Sequence, residues 1–167
     1  MGTVDRRDFI LSLAAISAGG HAAAQSAPGT TILVLGDSMS AEYGLARGTG
    51  WVALLAQRLA QQKIAAEVVN ASISGDTTAG GRARLPALLA QHRPSVVVIE
   101  LGGNDALRGL PLQSTEANLT AMAQAARKAG ARVLLVGMQV PPNYGADYTR
   151  RFAALFHTVA QAQKAAL

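Results

Sequence analysis

The sequence predicts an α/β fold, in which helices cover both faces of an open, mostly parallel sheet as a three-layer sandwich. Short aliphatic and β-branched runs alternate with segments whose apolar residues recur at helical spacing, in four successive units. The short runs are apolar at consecutive positions, which is typical of strands covered on both faces. Half of the 167 residues are hydrophobic, which suits a single domain.

Four strands are expected, each bounded by glycine, proline or polar residues. The first follows a Gln-Ser-Ala-Pro-Gly linker at residues 25–30. The run that ends in Glu100 and Leu101 is the clearest buried strand, because it is aliphatic over four consecutive positions. The strands are expected at residues 31–35, 66–73, 95–101 and 132–136.

Helices are expected after each strand, because apolar residues there recur every three or four positions. Pro86 begins or kinks the second helix. Ser114 is expected to cap the third helix and Gly130 to end it. The fourth helix is expected from about residue 146 to the end of the chain, after a loop at residues 141–145. The apolar positions of the four helices are Trp51, Leu54, Leu55 and Leu59; Leu85, Leu88 and Leu89; Leu119, Met122, Ala123 and Ala126; and Phe152, Leu155, Phe156 and Val159.

Residues 1–24 are predicted to be an export signal. Arg6 and Arg7 form a basic start, an uncharged apolar stretch follows at residues 9–18, and three alanines end the segment. The stretch is about half the length that spans a bilayer, so no stable membrane anchor is expected. Either a twin-arginine or an ordinary secretory signal fits the pattern. The expected location is periplasmic or secreted.

Composition excludes several classes of function. The net charge is +5, but the basic residues are scattered and form no stripe interleaved with aromatics, so nucleic-acid binding is not expected. The absence of cysteine excludes disulfides, thiolate metal sites and cysteine nucleophiles. No histidine, aspartate or glutamate cluster has ligand spacing, so no metal is expected. Oligomeric state is left open by the sequence.

Three successive strand ends carry polar and glycine residues suited to acyl transfer. They are Gly-Asp-Ser at residues 36–38, Gly-Asp at residues 75–76 and Gly-Gly-Asn-Asp at residues 102–105. Each segment alone fits an ordinary turn. Together they lie at one edge of the sheet, where sites of open α/β folds form. Ser38 is a candidate nucleophile at a strand-to-helix turn, and Gly75 and Asn104 are candidate donors to an oxyanion.

These segments resemble the blocks of the SGNH, or GDSL-type, hydrolases. Residues 36–40 resemble the first block, Gly75 matches the second and Asn104 the third. Residues 98–109 and 142–145 are similar to the bacterial periplasmic group that contains thioesterase I, lysophospholipase and arylesterase. The resemblance implies a flavodoxin-like fold, no cofactor, and hydrolysis of small acyl esters or thioesters. It implies Ser38 as nucleophile and N–H donor, with the Gly75 N–H and the Asn104 amide completing the oxyanion hole.

One family block has no counterpart in these residues. The resemblance implies an Asp-x-x-His block that supplies the general base and its acid, and no such sequence occurs in the chain. For His21, His92 and His157, a structural role is a better interpretation than a role as the general base. The chain is therefore expected to be C-terminally incomplete, without the last strand of the sheet, and weakly active or inactive. A carbohydrate O-acetyl esterase and a non-catalytic fragment remain the alternative functions.

Residues beside the three blocks have both structural and functional interpretations. Asp37 is expected to support the turn at Ser38. Asp105 and Arg108 are expected to brace the third loop, although Asp105 also belongs to the candidate substrate-binding residues because the resemblance places its loop beside the acyl site. Tyr144 and Met138 either line an acyl groove or pack in an ordinary loop.

Overall fold

The structure is a computed structural model that describes residues 29–167, so the predicted export signal lies outside the described residues. Four parallel strands form one sheet in the order β2-β1-β3-β4. Their bounds are β1 Thr30–Gly36, β2 Ala66–Asn70, β3 Val96–Glu100 and β4 Arg132–Leu135. The predicted α/β class with a mostly parallel sheet is confirmed.

Within residues 29–167, five α-helices connect and follow the strands. The short α3 and a single 3₁₀ turn were not predicted, because segments this short show no periodicity. The helices are α1 Trp51–Gln61, α2 Thr78–His92, α3 Gly103–Leu107, α4 Leu112–Lys128 and α5 Ala146–Gln163, and the 3₁₀ turn is Pro142–Tyr144.

The sheet has a thickly covered face and a thinly covered face. Leu33 and Leu35 of β1 point to the main core, which α2, α4 and α5 complete with Leu85, Met122 and Phe152. Alternate residues of the same strands point to the opposite face. There Val34, Val52 and Val98 form a small second core beneath α1. The helices on the two sides make the predicted three layers, with α1 alone on one side.

The thin layer leaves α1 with a narrow buried face, although its apolar residues recur at helical spacing. Trp51 is 37 % exposed and Leu54 is 52 % exposed, whereas Val52 is buried. One helix lying alone on a sheet buries a narrow stripe, and here Val52 occupies it against Val34 and Val98.

Several element ends differ from the prediction. β2 stops at Asn70, whose side chain donates to the Ser40 carbonyl, although the Ala71 N–H still donates to the Val34 carbonyl of β1. Ser114 does not cap α4: this helix begins at Leu112, and the Pro111 carbonyl accepts from the Ser114 N–H. Pro86 lies inside α2 rather than at its start.

The end of α5 also differs from the prediction. The helix stops at Gln163, after which Lys164 takes a left-handed conformation. Ala166 then pairs in parallel with Leu134 on the outer side of β4. Its carbonyl accepts from the Leu135 N–H at 2.9 Å, and its N–H donates to the Val133 carbonyl at 2.9 Å. The last described residues therefore contribute to the sheet.

Candidate active site

The three strand-end segments meet at the carboxyl edge of the sheet, around the side chain of Asn104. Its amide nitrogen donates to Asp37 Oδ2 at 3.0 Å and to the Asp76 carbonyl at 2.9 Å. Asp37 directly precedes Ser38, and Asp76 directly follows Gly75. Two hydrogen bonds from one side chain thus connect the three segments, at the edge where parallel sheets carry their sites.

Ser38 lies in a tight turn that Asp37 holds. The Asp37 carboxylate accepts the Met39 N–H at 3.0 Å, and its carbonyl accepts the Ala41 N–H at 2.9 Å. Asp37 is buried, whereas Ser38 is half-buried. The Ser38 hydroxyl takes part in none of the hydrogen bonds formed within residues 29–167, which leaves its oxygen available to an electrophile.

The turn at Ser38 is not the start of a regular helix, which corrects the sequence expectation. Only one helical turn follows β1, and α1 begins later, at Trp51. The backbone donors at Ser38 therefore belong to a turn whose conformation is set by Asp37. Burial raises the pKa of Asp37 above its ordinary value, while hydrogen bonds from the Met39 N–H and the Asn104 amide oppose that rise.

Gly75 lies in a turn that requires glycine. Its φ of 80° is in the left-handed region, where a side chain is strained. The Gly75 carbonyl accepts from Arg108 Nη2 at 2.7 Å, which fixes the orientation of this segment from outside. Behind it, the Arg84 guanidinium pairs with the Asp76 carboxylate at 2.8 Å and donates to the Ala71 carbonyl. The segment that carries the Gly75 N–H is therefore held by two arginines.

Asp105 lies behind the site rather than in it. It is 2 % exposed, and its carboxylate accepts the Thr78 N–H at 2.8 Å together with the hydroxyls of Thr78 and Thr115. These bonds join α3 to the start of α2 and to α4. Of the two interpretations of Asp105, the bracing of the loop fits this geometry, since both carboxylate oxygens already have protein donors.

An apolar cavity opens next to the Ser38 turn. Its volume is about 350 Å³, and Met39, Gly103 and Tyr144 are among the residues that line it. Met138 also lies in the wall of this cavity, a position that fits the interpretation of Met138 as a residue of an acyl groove. The remaining wall is mostly aliphatic or aromatic and includes Leu107, Val136, Val140, Pro141 and Phe152.

Glu100 is a site residue that the sequence reasoning missed. It ends β3, is 2 % exposed and lines the same cavity. Its Oε2 accepts from Ser40 Oγ at 2.6 Å and from the Asp37 N–H at 3.4 Å. Burial, together with the nearby Asp37 carboxylate, raises the pKa of Glu100 to about 7. The available signal was a single acidic residue at the end of an otherwise aliphatic strand.

Neither histidine of the described chain is placed to serve Ser38. His92 ends α2 immediately before β3, at the amino edge of the sheet and thus opposite the site. His157 is exposed on α5 and lines a surface depression together with Met138 and Leu167. Neither makes a hydrogen bond to Ser38 within residues 29–167.

No group of three or more histidine, cysteine, aspartate or glutamate residues within residues 29–167 could hold a metal ion. No helix in the same part of the chain has the length and apolar character needed to cross a membrane.

The unengaged hydroxyl of Ser38 and the apolar cavity beside it suit acyl transfer by a serine on an α/β sandwich. Residues 34–167 match the GDSL-like lipase/acylhydrolase family. The chain belongs to this family, and the resemblance seen in its sequence blocks is confirmed.

The relatives carry esterase and thioesterase names. The chain is 57 % identical over 143 residues to "Esterase TesA" of Pseudomonas aeruginosa, a match that covers 86 % of this chain and 71 % of the relative. It is 47 % identical over 137 residues to "Thioesterase 1/protease 1/lysophospholipase L1" of Escherichia coli, covering 82 % of this chain and 64 % of that protein. The chain therefore spans about two thirds of the length of these relatives.

Solved structures of esterases share the fold of this chain. A "Crystal Structure of TesA", 57 % identical, superposes with a TM-score of 0.80 over 81 % of this chain and 76 % of that chain. The psychrotrophic esterase EstA from Pseudoalteromonas sp. is 43 % identical and has a TM-score of 0.79, over 83 % of this chain and 75 % of that chain.

Proposed function

We propose that the chain hydrolyses small acyl esters and thioesters through an acyl-enzyme formed on Ser38. The observation that carries this proposal is the pair of hydrogen bonds from the Asn104 amide, to Asp37 and to the Asp76 carbonyl. These bonds gather the proposed nucleophile and two proposed oxyanion donors at one edge of the sheet. The family and the names of the relatives support the same chemistry.

In the proposed reaction Ser38 Oγ attacks the carbonyl carbon of the substrate and gives up its proton to a base. The Ser38 N–H, the Gly75 N–H and the Asn104 amide stabilise the oxyanion, each donor contributing about 3–4 kcal/mol. The carbon–oxygen or carbon–sulfur bond to the leaving group then breaks, and the alcohol or thiol takes a proton. Water attacks the acyl-enzyme by the same route, which releases the acid and restores Ser38.

In this reaction the Asn104 amide must give up one of its two hydrogen bonds in order to donate to the oxyanion. Both protons of its amide are engaged, one by the Asp37 carboxylate and one by the Asp76 carbonyl. The bond to Asp37 is the one that we propose to yield, because the Asp37 carboxylate keeps the Met39 N–H as a donor. The developing oxyanion then takes the place of the Asp37 carboxylate as the anionic acceptor of this hydrogen bond.

The proposed substrates are aryl esters, lysophospholipids and acyl thioesters whose acyl chain is apolar. The cavity beside Met39 and Tyr144 supports this class, because its wall is mostly aliphatic or aromatic. An acetylated carbohydrate, the alternative, would leave most of the cavity unused. Turnover of p-nitrophenyl octanoate, octanoyl-CoA and acetylated xylose by the same preparation separates the two, and a preference for the sugar ester would favour the alternative.

The described residues bring no base to Ser38, so we propose that they support only weak hydrolysis. Loss of a triad histidine costs about 10⁴–10⁶ in rate. Added imidazole should then accelerate hydrolysis of p-nitrophenyl butyrate about tenfold, because general-base catalysis contributes about 10²–10⁴ when the base is held in place.

The serine variants control that measurement. Ser38→Ala corrects for direct hydrolysis by imidazole, and Ser95→Ala, at the opposite edge of the sheet, should behave as the unmodified chain does. Equal imidazole-dependent rates for the unmodified chain and Ser38→Ala would refute the proposed nucleophile and favour the non-catalytic alternative.

We also propose that the chain is exported to the periplasm or secreted. The proposal rests on the basic, apolar and small-residue order of residues 1–24. Amino-terminal sequencing of protein from a bacterial periplasmic fraction should begin near residue 25. Protein found only in the cytoplasm with Met1 retained would contradict it.

A further inference from the structure

Glu100 is an acidic residue in an unusual place. It ends β3 in register with Gly36, the last residue of β1, and is 2 % exposed. A buried carboxyl group lowers stability unless hydrogen bonds compensate for lost water. Its Oε1 has no hydrogen-bond partner within residues 29–167, so Oε2 makes all of its bonds there. Core packing alone therefore does not account for a glutamate at this position.

The bonds of Oε2 reach both ends of the turn that carries Ser38. The Asp37 N–H donates to Oε2 from the residue before the serine, at 3.4 Å. The Ser40 hydroxyl donates to the same oxygen from two residues after it, at 2.6 Å. One carboxyl oxygen on β3 thus holds the turn on either side of Ser38.

Gly36 makes this close approach possible. A Cβ atom at position 36 would lie 2.8 Å from Glu100 Oε2 and 2.6 Å from Ser40 Oγ. Any side chain would therefore separate the carboxyl group from the turn. The absence of a side chain at Gly36 therefore allows the contact between the Glu100 carboxyl group and the turn.

A third contact continues the arrangement to the first helix. The Trp51 indole N–H donates to Ser40 Oγ at 3.1 Å, and the Asn70 side chain donates to the Ser40 carbonyl at 2.8 Å. Because the indole already donates to Ser40 Oγ, the Ser40 hydroxyl proton is directed at Glu100. The order of donation is Trp51 to Ser40 to Glu100.

We propose that Glu100 is a positioning residue for the nucleophile: it fixes both ends of the turn at residues 37–40, and Ser40 links it to Trp51. The inference rests on the proposed function of Ser38. A shift of 1 Å in a reacting atom costs about a hundredfold in rate. Glu100 acts on the reaction through the backbone of the turn and does not touch the reacting atoms.

The test compares variants in imidazole-supplemented hydrolysis of p-nitrophenyl butyrate, with the rate of Ser38→Ala subtracted. Glu100→Ala should lower kcat at least about tenfold with KM within about twofold, because the turn is displaced while the apolar residues of the cavity wall remain. Glu100→Gln keeps an acceptor oxygen and should stay within about threefold of the unmodified kcat. Glu67→Ala, at an exposed position of β2, is the matched control and should change neither parameter.

A spectroscopic signal accompanies the kinetics. Trp51 is the only tryptophan, so its indole N–H gives a single NMR resonance. This resonance should move in Glu100→Ala and in Ser40→Ala but not in Glu67→Ala. Ser40→Ala removes one of the two bonds without removing the carboxyl group, and its kcat should fall about threefold or more even if Glu100→Ala does not fold.

The outcomes separate the two proposals. A Ser38-dependent reaction that is equally fast in Glu100→Ala, Ser40→Ala and Glu67→Ala would overturn the positioning role alone. A fall in kcat that glutamine fails to restore would also count against it, because the amide oxygen supplies the same acceptor. An unmodified chain no faster than Ser38→Ala would overturn the proposed nucleophile, and the role of Glu100 with it.

Discussion

Replacement of Glu100 by glutamine should make the protein more resistant to unfolding at pH 8 than at pH 5, relative to the unmodified chain. The pKa of Glu100 is about 7 in the folded protein, against an ordinary value of 4.5. Well below pH 4.5 the carboxyl group is neutral in both states, so it adds no pH-dependent change to the free energy of unfolding. Above pH 7 the folded state must hold a buried charge, so stability falls as the pH rises between these values.

The magnitude follows from the size of the shift. Each pKa unit corresponds to about 1.4 kcal/mol, so the full difference of 2.5 units gives about 3 kcal/mol. Part of that loss occurs below pH 5, which leaves about 2–3 kcal/mol between pH 5 and pH 8. Glutamine has no charge to lose or gain, and any constant cost of its amide cancels when the two pH values are compared.

Urea unfolding at pH 5 and pH 8 measures this difference. The free energy of unfolding of Glu100→Gln, minus that of the unmodified chain, should rise by about 2–3 kcal/mol from pH 5 to pH 8. Glu67→Gln, on the exposed part of β2, should show no such rise. A difference that stays constant with pH, or falls, would refute the argument that Glu100 is buried and protonated near neutrality.

Two further predictions concern the loop behind the site and the cavity. Asp105→Ala should lower the free energy of unfolding by about 3 kcal/mol in urea denaturation, because it leaves the buried donors of Thr78 without acceptors. The control Asp147→Ala, at an exposed position, should lower it by less than about 0.5 kcal/mol. Equal losses in the two variants would contradict the bracing role of Asp105. Met138→Trp should narrow the cavity and lower kcat/KM for p-nitrophenyl octanoate at least about tenfold, with little change for p-nitrophenyl acetate. Equal losses of kcat/KM for both esters would show that the acyl chain lies elsewhere.

The centre of the sheet was predictable because β1 and β3 are mostly buried and therefore read as aliphatic runs. The inner face of α1 was not, because apolar periodicity locates a stripe only when neighbouring elements cover it. Trp51 and Leu54 lie on the thin side of the sheet, where Val52 alone reaches the core. Helix α3 escaped prediction because five residues are too few to show a period.

The candidate site was predictable as far as strand topology determines it. Parallel strands bring their carboxyl ends together, so the segments of Ser38, Gly75 and Asn104 were expected at one edge. The bonds among them depend on side-chain directions that no local pattern encodes. Glu100 reaches Ser40 across 60 positions of sequence, and the engagement of both Asn104 protons follows from the paths of two separate loops.

Mass spectrometry of Ser38 after incubation with p-nitrophenyl butyrate tests the central claim most directly. Because residues 29–167 bring no base to Ser38, attack by water should be slower than acylation by an ester with a good leaving group such as p-nitrophenoxide, so the acyl-enzyme should accumulate. One butyryl group per chain is expected, located on the peptide that contains Ser38, with no label on Ser38→Ala. Butyryl groups spread over other serines or lysines, or equal labelling of Ser38→Ala, would contradict the assignment of Ser38 as the nucleophile.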